Sequence, residues 1–292
     1  MPQSLEKVLK TIDTKVHVIG HTVRDIMTHR VITVRPKDTL LDTHKLLQRH
    51  GIARVVVVDE EYRPVGIMTS KDIIEFLMSD LSGRSLDDIE VREVMKSNPI
   101  CVREGYLIPE AAKLMLKRNI SSLPIIDSNG RLIGIVTKTD MCRFYAHLRG
   151  VNKVGDYMTS PVITVRPYDS VFKAALLMMN MNISRLVVTV GREIKGIVTL
   201  SDLMLIVPLL KGPKEMPRKV LRALLTRGVC CVADIMTSDP ITVHKTEDLA
   251  TAARLMILHR ISGLPVLDEE NLLSGILTKT DITRAVADIK LK

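Results

Sequence analysis

An α/β fold of four β-α-β-β-α repeats, arranged as two pseudo-twofold pairs, is predicted by three observations on this 292-residue chain. First, one segment recurs four times: VRDIMTHRVITVRP from Val23, VREVMKSNPICVRE from Val91, VGDYMTSPVITVRP from Val154 and VADIMTSDPITVHK from Val232. Second, each copy is followed by a glycine-led signature: GIMTSKD from Gly66, GIVTKTD from Gly134, GIVTLSD from Gly196 and GILTKTD from Gly275. These glycines lie 39, 39, 38 and 39 residues after Met27, Met95, Met158 and Met236. Third, the stretch between methionine and glycine switches from short branched runs to a helical period and back. Self-similarity at a fixed period marks one duplicated supersecondary unit.

The first element of a copy is the branched run Ile32 to Val34, a strand closed by Arg35 and Pro36. A helix follows, its buried face spaced i, i+3, i+4, i+7: Ile108, Ala111, Ala112 and Met115 in copy two, Val171, Ala174, Ala175 and Met178 in copy three, Leu249, Ala252, Ala253 and Met256 in copy four. Copy one carries Thr43 and His44 at the two alanine positions, and His44 reads as a satisfied histidine at the core edge. Val55 to Val58, a charged turn from Asp59 to Pro64 and a second run ending at Met68 form a hairpin, and the last helix starts near Thr69. A unit this small cannot cover both faces of its sheet, so copies one and two, and three and four, are expected to pair. The resulting map is an N-terminal extension at 1–22, repeats at 23–80, 91–148, 154–207 and 230–290, and a basic insertion at 208–229.

Composition narrows the function. With 46% hydrophobic residues the chain is globular, and its apolar runs are too short to cross a bilayer. No apolar leader opens it, so a cytoplasmic location is expected, with no membrane partner. Cys101, Cys142, Cys230 and Cys231 form no C-x-x-C pair, and His17 and His21 fall in a strand-like run, so no metal is predicted. Aromatics at 3% argue against a reader of unpaired bases. The net charge of +9 is partly local: Lys211, Lys214, Arg218, Lys219, Arg222 and Arg227 face Glu215 alone between Leu205 and Cys230. That cluster suits a phosphate-rich surface such as structured RNA, or is a solvated basic face.

The signature itself has two readings. In one, Thr69 caps the last helix and Asp72 sits in its first turn, favoured by the helix dipole. In the other, the free helix N-terminus draws phosphate and the carboxylate takes two hydrogen bonds from a ribose diol.

The four copies resemble cystathionine-beta-synthase (CBS) domains from Val23 to Val286, and the third, ISRLVVTVGREIKGIVTLSDL from Ile183, is similar to a nucleotide-sensing repeat of the AMP-activated protein kinase gamma subunit. The resemblance implies adenine nucleotides (AMP, ADP or ATP) in clefts between paired repeats. It implies ribose-binding roles for Asp72, Asp140, Asp202 and Asp281, hydroxyl roles for Thr69, Thr137, Thr199 and Thr278, and phosphate or ribose contacts for Lys71, Thr139, Ser201 and Thr280. It also implies adenine-edge contacts from the backbone around Ile32, Ile100, Ile163 and Ile241. Copies one and three place Arg54 and Arg185 where copies two and four have Ser122 and Gly263. A guanidinium there would grip phosphate bidentately, or make a surface salt bridge.

No G-x-S-x-G elbow, H-E-x-x-H or P-loop is present; Gly191 to Gly196 is followed by Ile197. The reading is a non-enzymatic nucleotide-binding regulator acting in trans. The similarity to stand-alone four-repeat archaeal proteins, some of which silence ribosomes, implies the ribosome or its RNA as partner, with a protein target such as an enzyme or transporter as the alternative. Exposed helices of such pairs also imply a homodimer.

Overall fold

The computed structural model describes residues 21–80, 82, 84–205 and 231–289. In repeat one, β1 (Thr33–Val34) runs parallel to β2 (Arg54–Val58), with Thr33 opposite Val56. The crossover between them is α1 (Leu40–His50). Thr39 starts α1 by accepting from the Asp42 amide, and Gly51 ends it at φ 60°, a left-handed conformation that glycine adopts without strain. The helix buries Leu40, Thr43, His44 and Leu47; His44 is 2% exposed, so it stands inside the core and not at its edge. Antiparallel β3 (Pro64–Thr69) completes the hairpin and leads without a loop into α2 (Ser70–Ser79).

Repeat two repeats the plan with β5 (Val102–Arg103), α3 (Ile108–Lys117), β6 (Ser122–Ile126), β7 (Leu132–Thr137) and α4 (Lys138–Tyr145), preceded by a two-residue strand, β4 (Lys96–Ser97). Repeat three has a short helix α5 (Val154–Tyr157), then β8 (Thr164–Val165), α6 (Val171–Asn180), β9 (Arg185–Val190), β10 (Glu193–Thr199) and α7 (Leu200–Leu205). Repeat four has β11 (Thr237–Ser238), β12 (Val243–His244), α8 (Leu249–Leu258), β13 (Gly263–Leu267), β14 (Leu273–Thr278) and α9 (Lys279–Ala287). The helical faces expected in copies two, three and four are all buried.

Repeats pair by exchanging their opening segments, a feature the sequence reading did not include. Strand β4 leaves repeat two and joins β3, while Thr28 of repeat one bridges to Ile135 on β7. In the second half β11 joins β10, and Thr159 bridges to Ile276 on β14. The repeated methionines and glycines meet across each pair, not within a copy. A Cβ on Gly134, Gly196 or Gly275 would stand 2.5, 2.7 or 2.5 Å from the Sδ of Met27, Met236 or Met158, each from the paired repeat. Each methionine therefore packs onto the bare backbone of its partner's signature, and pairs one–two and three–four are locked reciprocally.

The helices join the pairs crosswise. Helix α4 packs on α8 and α9, and α2 packs on α7. One core accordingly spans repeats two and four, including Met115, Leu123 and Met141 with Met256, Leu264 and Ile282. A second spans repeats one and three, including Leu40, Val55 and Ile73 with Val171, Met178 and Leu186. The four units close a ring in the order one, two, four, three, with sheet seams alternating with helix seams.

Candidate functional site

Each signature places its threonine at the last residue of a strand and its aspartate in the first turn of the next helix. The Asp72, Asp140, Asp202 and Asp281 Oδ2 atoms accept from the backbone amides of Thr69, Thr137, Thr199 and Thr278 at 2.7, 2.8, 2.7 and 2.7 Å. The threonine hydroxyls donate to the same oxygens at 2.5, 2.8, 2.8 and 2.7 Å. This capping box follows from the three-residue spacing, which brings a short carboxylate back to the amide that the helix leaves unpaired. A carboxylate open on both oxygens to a diol is therefore not what the fold presents: one oxygen is committed to the backbone, and Oδ1 remains for chemistry.

The four Oδ1 atoms differ. Asp72 Oδ1 meets Lys96 Nζ at 3.0 Å, reached from the exchanged strand β4. Asp140 and Asp281 meet the guanidinium one helical turn on, Arg143 at 2.7 Å and Arg284 at 3.2 Å; Thr159 Oγ1 also lies 3.5 Å from Asp281. Asp202 is followed three residues later by Leu205, and β11 carries Thr237 where β4 carries Lys96. Among the described residues its Oδ1 has no cationic partner. Asp72, Asp140 and Asp281 are buried, whereas Asp202 is half-buried.

Among the described residues the two arginines make no salt bridge, and they do not stand free. Arg54 Nη1 donates to Ser121 O at 2.6 Å across the seam between repeats one and two. Arg185 donates to the Ser262 carbonyl and, at 2.8 Å, to Ser262 Oγ across the three–four seam. The Nε atoms of both are buried without a hydrogen-bond partner. Burial pushes Arg185 down to about 10, which leaves it charged at neutral pH.

Lysines that open two helices cross the two–four seam. Lys138 Nζ meets Thr280 Oγ1 at 3.0 Å, and Lys279 Nζ meets Thr139 Oγ1 at 3.1 Å. Lys138 is pushed down to about 8, chiefly by desolvation and then by Arg54; Asp281 opposes the shift, and Arg185 and Arg284 add to it. Lys279 is lowered for the same leading reason. Sequence reasoning passed over both lysines; their position, one residue after the capping threonine in two signatures only, was the available signal. Lys71, expected at phosphate, instead donates to Asn182 of repeat three. Ser201 is exposed, and Thr139 and Thr280 are engaged by the crossing lysines.

Ile32, Ile100, Ile163 and Ile241 are half-buried at the rims of the two cores, one beside each opening strand. Two surface hollows of about 330 and 320 Å³, lined by Ser160, Val162 and Arg192 and by Ile194, Asp239 and Asn271 among others, sit at the turn ends of the hairpins, away from the capped aspartates. The basic residues Lys211, Lys214, Arg218, Lys219, Arg222 and Arg227 lie outside the described residues, as does most of the N-terminal extension. Among the described residues no helix is long and apolar enough to cross a membrane, and no cluster of three or more His, Cys, Asp or Glu could hold a metal.

The CBS domain family model matches residues 23–79, 91–147, 154–208 and 232–288. The chain belongs to the CBS domain family. As a four-CBS chain it is 27% identical to protein MJ1225 of Methanocaldococcus jannaschii over 88% of its own length and 96% of that protein. MJ1404 of the same organism is 31% identical over 94% of this chain, which spans 63% of that longer protein. A 33.4 kDa protein in a ribosomal RNA operon of Thermofilum pendens is 28% identical over 86% of both chains. The crystal structure of MJ1225, described as a proposed archaeal homologue of γ-AMPK, superposes with a TM-score of 0.78 at 27% identity, covering 91% of this chain and 99% of that one.

Proposed function

We propose that this CBS protein is a non-enzymatic regulator that binds AMP, ADP or ATP through its capped aspartates. The observation that carries this reading is the fixed Oδ2 of all four carboxylates. It aims Oδ1 from a rigid helix start, where a ribose hydroxyl would exchange with the cation held by Asp72, Asp140 and Asp281 and would meet none at Asp202 among the described residues. The phosphates would then be received by Arg54 and Arg185, whose buried Nε atoms lack partners in the free protein. The likeness to MJ1225 over nearly the full length of both chains supports the same reading.

Binding would act on a partner in trans, and nucleotides would shift the arrangement of repeats only through different affinities for its states. The partner we infer is the ribosome or structured RNA. The net charge of +9 and the run from Lys211 to Arg227 support it, through phosphate neutralisation rather than base reading. The setting is cytoplasmic, and a protein target or a homodimer is the competing output. Co-sedimentation with ribosomes tests the partner: association released steeply by salt, and lost when the six basic residues are replaced by glutamine, is the expected result. Migration free of ribosomes at low salt would reject it.

A further inference from the structure

Repeat three carries an apolar line that its own fold does not cover. Along α6, Phe172, Leu176 and Met179 follow at i, i+4 and i+7, on the side turned away from the buried Val171, Ala174, Ala175 and Met178. Leu176 is 39% exposed, Tyr168 in the turn before the helix 88%, and Met181 just past its end 51%. The first helices of the other copies are different. The place of Leu176 is held by Lys45, Lys113 and Arg254, and that of Met181 by His50, Arg118 and His259. Three copies thus offer water a cation where copy three offers hydrocarbon, and an exposed apolar line of this kind marks a docking surface.

The path of the chain says what is at hand to cover it. Cys231 bridges Ser170, the N-cap of α6, while Val232 N donates to Asp169 O and Ala233 N to Pro167 O, both at 2.9 Å. Gly228 is three residues from Cys231, so it stands within about 10 Å of the start of the apolar line whatever path those residues take. The stretch 217–228 that ends there lies outside the described residues. Its sequence puts Val220, Leu221, Leu224 and Leu225 at the spacing of one helical face, with Lys219 and Arg222 opposite, Pro217 at its start and Gly228 at its end. Repeat one uses the corresponding return in this way. Glu90 bridges Thr39, the N-cap of α1, and Leu40 N donates to Ile89 O at 2.9 Å. Just before that point Leu86 and Ile89 are wholly buried in one core with Leu40 and Leu47 of α1.

We propose that the stretch 217–228 docks on α6 of its own chain, its leucines covering Phe172, Leu176 and Met179, so that Lys219 and Arg222 face outward from a set position. A second copy of the chain would compete poorly for the same surface, because a segment tethered this closely acts at an effective concentration on the order of millimolar. The inference goes beyond the nucleotide and RNA readings and needs neither of them. Where RNA is the partner, it turns two of the six basic residues into part of a built surface.

Limited trypsin digestion of the folded full chain, without nucleotide or RNA, tests it, since cleavage after Arg222 follows the population of the undocked segment. Leu176→Lys places on α6 the residue that copies one and two already carry there, and it should raise the rate of cleavage after Arg222, read by mass spectrometry, at least tenfold. Leu176→Met should keep the parent rate. Leu224→Asp, a change in the segment itself, should give the same acceleration without touching α6, and near-ultraviolet circular dichroism checks that each variant is folded. Equal rates in the parent and both charged variants would overturn the proposal, and acceleration by only one of them would do the same. Protection that fades on dilution would make a second copy the occupant and overturn it too.

Discussion

Thr137 does two jobs with one side chain: its hydroxyl accepts from the Thr139 amide at 3.1 Å and donates to Asp140. Removing it as Thr137→Ala should cost about 1 kcal/mol, the usual worth of a threonine cap, read as a lower urea midpoint; an unchanged midpoint would show the cap to be idle. The cation on the Oδ1 of Asp72, Asp140 and Asp281 is a competitor for any incoming hydroxyl. Lys96→Met should therefore raise nucleotide affinity at the Asp72 cleft several-fold in a chain where the other three aspartates are asparagine, and a fall would mean that Lys96 belongs to the ligand's binding set. The capping reading and the ribose reading of the Thr-x-x-Asp signature looked like alternatives in the sequence because spacing alone reports which groups are near, not which oxygen each occupies. The structure divides the carboxylate between a committed and an available oxygen, a distinction that requires coordinates.

The helices and hairpins were legible because their signals are local: apolar spacing for the helices, branched runs around charged turns for the hairpins. Strands β4 and β11 were not, since two exposed residues such as Lys96 and Ser97 carry no pattern, and their register depends on a sheet belonging to another repeat. The methionine-to-glycine interval within a copy marks duplication and carries no sign of the methionine–glycine contact, which runs between copies. That contact makes a prediction at the exchanged strands. A Cβ on Gly196 would meet the Thr237 carbonyl at 2.8 Å and Met236 Sδ at 2.7 Å, so Gly196→Ala should destabilise by roughly 1–3 kcal/mol. Gly105 faces open space at ordinary φ, so Gly105→Ala should be neutral or slightly stabilising. Equal urea midpoints for the two variants would contradict the packing.

Pairing of copies one with two and three with four was readable from chain order, but the crosswise helix seams were not, because the faces that form them repeat in every copy. Those seams bring Lys138 within the field of Arg185 and Arg284, with Asp281 as the opposing charge, and Arg54 adds to the field from across the one–two seam. The native pKa of Lys138, about 8, is below the ordinary value of 10.5. The unfolded chain therefore binds this proton more tightly, so the group penalises folding fully below pH 8 and progressively less as pH rises to 10.5. Lys138→Met should be more stable than the parent at pH 7, with the gap narrowing by pH 10 in paired urea titrations; a gap that widened would reverse the sign and place a counter-charge beside the lysine.

The central claim is that a carboxylate at a helix start receives a nucleotide's ribose, and Asp202 is where it is most exposed to test, its Oδ1 having no cationic partner among the described residues. AMP titrated calorimetrically into the parent chain and into Asp202→Asn, which keeps the cap acceptor but removes the charge, is the most direct measurement. Binding by the parent and an affinity at least tenfold weaker in the variant is the outcome the account predicts; identical affinities, or no binding to either, would contradict it.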